Sequence, residues 1–178
     1  MKTHDTFDGA VDEICRLTEL VVATPVFDTS EGIPLPRGEK RCFAVIGASR
    51  DGSEVLSFAF GLDGDVDDAK GKRNFVLNAL AERDVAVINT DHVGTAACIA
   101  NSLWPCPRSK EFYDIAERAY GAAAMKDISG FVAKRLKAIM RVRTPAVTSS
   151  RSARRRCIES CHAAGGAGAT KDSGCGFP

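Results

Sequence analysis

Residues 41–62 read RCFAVIGASRDGSEVLSFAFGL. Two runs rich in β-branched and aromatic side chains, 41–49 and 54–62, flank Arg50-Asp51-Gly52-Ser53. Asp-Gly between such runs favours a tight hairpin, because glycine takes the positive φ that primed turns need. Phe43, Val45 and Gly47 fall on one face of the first strand. Leu56, Phe58, Phe60 and Leu62 alternate with Val55, Ser57, Ala59 and Gly61 on the second. A hairpin with one such apolar face needs a cover, and the flanking segments are patterned to supply it.

On the N-terminal side, Phe7, Val11, Ile14, Leu17 and Leu20 recur at spacings of three and four, which predicts a helix over 7–20 capped by Thr6 or Asp5. Residues 21–27 are β-branched, and Pro25 limits them to an edge strand at best. Residues 28–40, with Gly32, Pro34, Pro36 and Gly38, read as a loop. On the C-terminal side, 63–71 reads as an acidic loop, 73–83 as a helix with Phe75, Val76, Ala79 and Leu80 inward, and 85–89 as a short buried strand. An Ala-rich helix over 93–103 stops at Trp104-Pro105-Cys106-Pro107. Ser109 is expected to cap a helix over 110–124, and a last helix covers 127–141. The expected class is α+β: a small antiparallel sheet built on the 41–62 hairpin, covered by helices, with a C-terminal helical segment.

The chain has 178 residues, 44% of them hydrophobic and 26% charged, with 24 Lys and Arg against 23 Asp and Glu. That balance excludes collagen-like, coiled-coil and wholly disordered readings. No apolar run approaches the roughly 18 residues of a membrane span, so none is expected. Five of the basic side chains and two of the acidic ones lie in 144–178, where Val147, Ile158 and Phe177 are the only large apolar residues. The expected organisation is a single α+β domain over 1–143 and a flexible, disordered basic Cys/Gly-rich tail over 144–178. Seven cysteines are an odd number, and the N-terminus opens no secretory signal. Free thiols in a cytoplasmic location are therefore expected.

Between Ser129 and Arg156 there are nine basic residues and no acidic one. Cations at that density attract phosphate backbones and release counterions as they bind. Lys134, Arg135, Lys137, Arg141, Arg154, Arg155 and Arg156 are the candidate nucleic-acid-binding residues. No helix-turn-helix accompanies them, since Glu117 and Lys126 stand where a small residue should precede Gly121 and Gly130. The leading expectation is a non-enzymatic accessory or regulatory protein that contacts nucleic acid or another polyanion through its basic C-terminal helix and tail. It has a possible protein partner or self-association through its body.

Two alternatives come from other residues. Asp91-His92 follows the 85–89 strand, and His92 with Cys98 or Cys106 would make a Cys/His nucleophile pair in a small α/β enzyme. A protein–protein interaction module would use the Pro34/Pro36 loop or an apolar helix face. No cofactor is expected. Zinc is the alternative, through Cys157, Cys161, His162 and Cys175, although adjacent ligands and a Gly/Ala-rich connector serve one tetrahedral site poorly. Asp63, Asp65, Asp67 and Asp68 miss the EF-hand pattern, because Asp68 and Asn74 occupy its glycine and glutamate positions. Gly71-Lys72-Arg73, at the expected start of a helix, offers phosphate contact but lacks the P-loop glycine and hydroxyl residue. Gly47-Ala48-Ser49-Arg50-Asp51 ends in Asp51 where a nucleophile elbow needs glycine, and the hairpin accounts for it.

Overall fold

In a computed structural model, which describes residues 7–35 and 38–143, the chain runs α1 (Phe7–Leu17), β1 (Leu20–Ala23), β2 (Phe27–Asp28) and a 3-10 turn at Thr29–Glu31. It continues β3 (Arg41–Ala48), β4 (Val55–Leu62), α2 (Val66–Glu82), β5 (Ala86–Asn89), α3 (Val93–Leu103), α4 (Pro107–Tyr120) and α5 (Ala122–Arg143). Contacts group the chain into residues Met1–Lys137 and Ala138–Pro178. Of the second group, only the end of α5 falls among the described residues, and the tail expected over 144–178 lies outside them.

The hairpin forms as read. β3 and β4 pair antiparallel over their whole length, from Arg41↔Leu62 to Ala48↔Val55. Ser49 N donates to Glu54 O at 2.8 Å to close the turn, with Gly52 at φ 72°. Asp51 braces that turn by accepting from the Ser49 hydroxyl, the Ser53 amide and the Ser53 hydroxyl. Phe43 and Phe60 face each other in the register and stack with ring centroids 4.6 Å apart.

β1 corrects the expectation of an edge strand. It lies inside the sheet, antiparallel to β3 on one side and parallel to β5 on the other. Pro25 does not disturb this because it sits in a bulge. From Ala23↔Val45 to Phe27↔Cys42 the chain advances four residues against three on β3. Thr24 holds the bulge, its N–H bonding Ala44 O at 2.9 Å and its hydroxyl oxygen accepting from Ala44 N at 2.8 Å. The α+β class is as expected, and the sheet is mixed, with one parallel pair beside its antiparallel ladders.

α2 is longer than its expected 73–83. Residues 66–71, read as loop, are its first turns, because Asp65 caps it by accepting from Asp68 N at 2.8 Å. Asp67 and Asp68 meet the positive end of the helix. Its buried stripe is Ala69, Arg73, Val76, Leu77 and Leu80, so Phe75, expected inward, is 55% exposed. Ser109, expected as a cap, is instead the third residue of α4, and Cys106 takes the cap position. Gly121, at φ 89°, ends α4, and α5 begins directly after it rather than at 127.

Helices cover both faces of the sheet. Val11, Ile14, Val76 and Leu80 of α1 and α2 pack on Phe43, Val45, Phe58 and Phe60. On the other face Phe27 and Cys42 meet Val93 of α3 and Phe112, Ile115 and Tyr120 of α4. α5 adds Met125 and Val132 to a third cluster with Ala97, Cys98 and Ala116.

Candidate functional site

α5 packs through Met125, Ile128, Val132 and Leu136 and turns Lys134, Arg135 and Lys137 outward, all three exposed. None of them is in an ion pair among the described residues, so their charge faces solvent. Phe131, whose place in the 127–141 helix pattern suits an apolar stripe with Ile128 and Leu136, lies off the packed face at 57% exposure, and the Arg135 guanidinium sits over its ring, 5.3 Å from the centroid. Phe131 was not legible as a surface aromatic because its spacing from Ile128 and Leu136 also suits the buried face. The Arg141 side chain and Arg154, Arg155 and Arg156 lie outside the described residues.

The structure gives His92, Cys98 and Cys106 separate tasks. His92 caps α3, its Nδ1 accepting from Gly94 N at 3.1 Å, and its ring lies 4.5 Å from that of Tyr120. The Cys98 thiol is buried among α3, α4 and α5 with Ser129 Oγ at 3.2 Å. Burial raises its pKa against that bond. Cys106 caps α4. Burial pushes its thiol up, but hydrogen bonds from Ser109 and from the Arg108 amide, with the Arg108 charge, outweigh this and leave it below the ordinary value. No hydrogen bond joins His92 to either thiol among the described residues.

A second site lies where α2 crosses the C-terminal ends of β1 and β5. A cleft of about 650 Å³ opens there, lined in part by Lys70, Arg73, Asn74, Asn89, Thr90 and Asp91. Arg73 occupies the buried stripe of α2 at 8% exposure. Its Nε donates to Thr24 O at 2.7 Å, and its Nη2 donates to the Asn89 side-chain oxygen and to Thr90 O at 3.5 Å. Burial lowers its pKa, yet a guanidinium keeps its charge in a protein. Its acceptors are all neutral. The spacing 69, 73, 76, 77, 80 would have placed Arg73 inward had the helix been started at Asp65 (the acidic residues before it read as loop).

Gly71-Lys72-Arg73 lies inside α2 and not at its start, so its amides belong to the helix ladder and the expected phosphate cradle does not form. Asp65 and Asp68 are occupied as cap and as partner of Lys72, whose Nζ is 2.8 Å from Asp68. Cys157, Cys161, His162 and Cys175 lie outside the described residues. Among the described residues no group of His, Cys, Asp or Glu side chains is arranged to hold a metal, and no helix is long and apolar enough to cross a membrane. Comparisons of the chain with protein-family models, with curated proteins and with solved structures return no match.

Proposed function

We propose that the protein is a non-enzymatic accessory or regulatory protein that binds nucleic acid through α5 and the basic run that follows it. The observation that carries this reading is the exposed face of α5, where Lys134, Arg135 and Lys137 have no acidic partner among the described residues and Arg135 stacks on the exposed Phe131. Unpaired cations supply affinity for phosphates, and an exposed aromatic beside them adds a platform for unstacked bases. Single-stranded DNA or RNA is the polyanion this combination suits best. The free thiols Cys15, Cys42, Cys98 and Cys106 support a reducing, cytoplasmic setting.

Binding of the full chain to single-stranded DNA and RNA across a salt series tests the reading. Affinity is expected to fall steeply with salt, and replacing Lys134, Arg135 and Lys137 together by alanine should reduce the salt slope by about 3. Phe131→Ala should weaken binding to single strands more than to duplex. Absence of binding at low salt rejects the proposal. A protein partner is the second reading, favoured by the same exposed Phe131. It predicts self-association or capture that depends on Phe131 and is insensitive to the three cations.

A further inference from the structure

Arg73 poses a problem that the α5 reading does not touch. A buried cation costs free energy unless it is paired, and buried arginines are ordinarily matched by carboxylates. Arg73 is buried at 8% exposure, and no carboxylate pairs with it among the described residues. Its Nε and Nη2 are committed to Thr24 O, Asn89 Oδ1 and Thr90 O, which lock α2 to the ends of β1 and β5. The bonds of Arg73 use Nε and Nη2, no partner of Nη1 is found among the described residues, and the side chain lines the cleft. The charge is thus held rigid by neutral dipoles and presented unneutralised to an open site.

The surroundings say what would neutralise it. Lys70 stands one turn earlier on α2 and lines the same cleft, 63% exposed, with Asp67 only loosely associated at 4.0 Å. Asn74 adds an amide. Asp91 also lines the cleft, and its carboxylate can accept from a hydroxyl. The charged lining groups, Lys70 and Arg73 against Asp91, leave a net of +1. The volume is within the range of small-molecule sites, and the position outside the carboxyl ends of adjacent parallel strands is where open α/β sheets commonly bind ligands.

We propose that this cleft binds the phosphate group of a small hydroxylated phosphate ester, with the phosphate on Arg73 Nη1 and Lys70 Nζ and a ligand hydroxyl toward Asp91. Phosphate, which carries up to two charges, is favoured over a carboxylate because two cations line the cleft, and Arg73, with Nε and Nη2 committed, has no bidentate fork left to offer a carboxylate. The site is independent of α5.

Inorganic phosphate is the probe. Titrated into the full chain at constant ionic strength, it should shift the amide resonances of Thr90 and Asp91 and the side-chain amides of Asn74 and Asn89, while chloride and acetate do not. Lys70→Gln should weaken phosphate binding about tenfold, the equivalent of about 1.4 kcal/mol. Asp91→Asn should tighten it, and Arg73→Gln should abolish it. Lys70 and Asp91 are exposed, so their variants carry the test if Arg73→Gln does not fold. The triple alanine variant of Lys134, Arg135 and Lys137 should bind phosphate unchanged, which separates this site from the nucleic-acid reading. Three results would each overturn the proposal: no phosphate-specific shift in the cleft, equal affinity in Lys70→Gln, or acetate binding as tightly as phosphate.

Discussion

At the scale of single residues, local hydrogen bonds decide which groups titrate and react. Asp51 accepts bonds from the Ser49 hydroxyl, first in importance, and from the Ser53 amide and hydroxyl, which hold its carboxyl down to about 2 from an ordinary 3.8. The folded value is below the unfolded one, so these bonds stabilise the hairpin above about pH 4 and are lost as the pH falls toward 2. A carboxylate titration by NMR should find the Asp51 midpoint near the lower value, and a midpoint at the ordinary one would contradict the bracing of the turn. The cysteines divide by the same reasoning. Burial pushes the Cys42 thiol up to about 12, whereas Cys106 sits below its ordinary value at the head of α4. Thiolates are the reactive form, so alkylation near neutral pH, mapped by peptide, should modify Cys106 well before Cys42. Equal rates would mean that Cys42 is not held in the core. None of this was visible from spacing, because it depends on which backbone amides a side chain reaches.

Among the elements, two glycines show what the sequence could and could not convey. Gly71 reads as an interruption, and together with the acidic run before it conceals the first turns of α2. In the structure it is exposed inside the helix, and a Cβ there would meet nothing within 4 Å. Gly71→Ala should therefore stabilise the protein by up to about 1 kcal/mol. Gly47 reads as an ordinary strand residue, yet a Cβ there would lie 2.8 Å from Leu20 O, 3.1 Å from Val21 Cγ1 and 3.2 Å from Thr18 Cγ2. The first of these is backbone and cannot swing aside. Gly47→Ala should destabilise by about 1–3 kcal/mol, the usual cost of overpacking. Paired thermal unfolding curves check both signs, and a neutral Gly47→Ala would mean that β1 and β3 yield more easily than their close approach implies. The hairpin was legible because its pattern and its turn lie within 22 residues of each other. The interior place of β1 was not, since it rests on pairing with β5 across more than sixty residues and on a bulge that removes Pro25 from the ladder.

Across the whole of the 1–137 unit, the order β4-β3-β1-β5, with the short β2 pairing β3 beyond the end of β1, leaves β1 and β3 flanked on both sides and β4 and β5 as edges. α2 ties the two ends of this sheet, since it follows one edge strand, precedes the other, and is pinned to the ends of β1 and β5 through Arg73. Stability should therefore be graded from the centre outward. In native-state hydrogen exchange, the hydrogen-bonded amides of β1 and β3 are expected to exchange only by global unfolding, at the slowest rates in the chain. Those of α5, which packs on α3 and α4 rather than on the sheet, should open by a smaller local event. The sequence marked Arg73 only within Gly71-Lys72-Arg73, because its bonds to the strands exist only where α2, β1 and β5 come together. Removing Arg73 tests that convergence. Arg73→Met keeps an apolar stem on the buried stripe but leaves Thr24 O and Thr90 O without their donor, at a cost of about 1.5–3 kcal/mol by the usual worth of a hydrogen bond to a charged group. The loss should appear as faster exchange in β1, β3 and β5 together, with α5 unaffected. Faster exchange confined to α2 would show that Arg73 does not join the helix to the strands, and the cleft would lose the rigid cation on which its ligand depends.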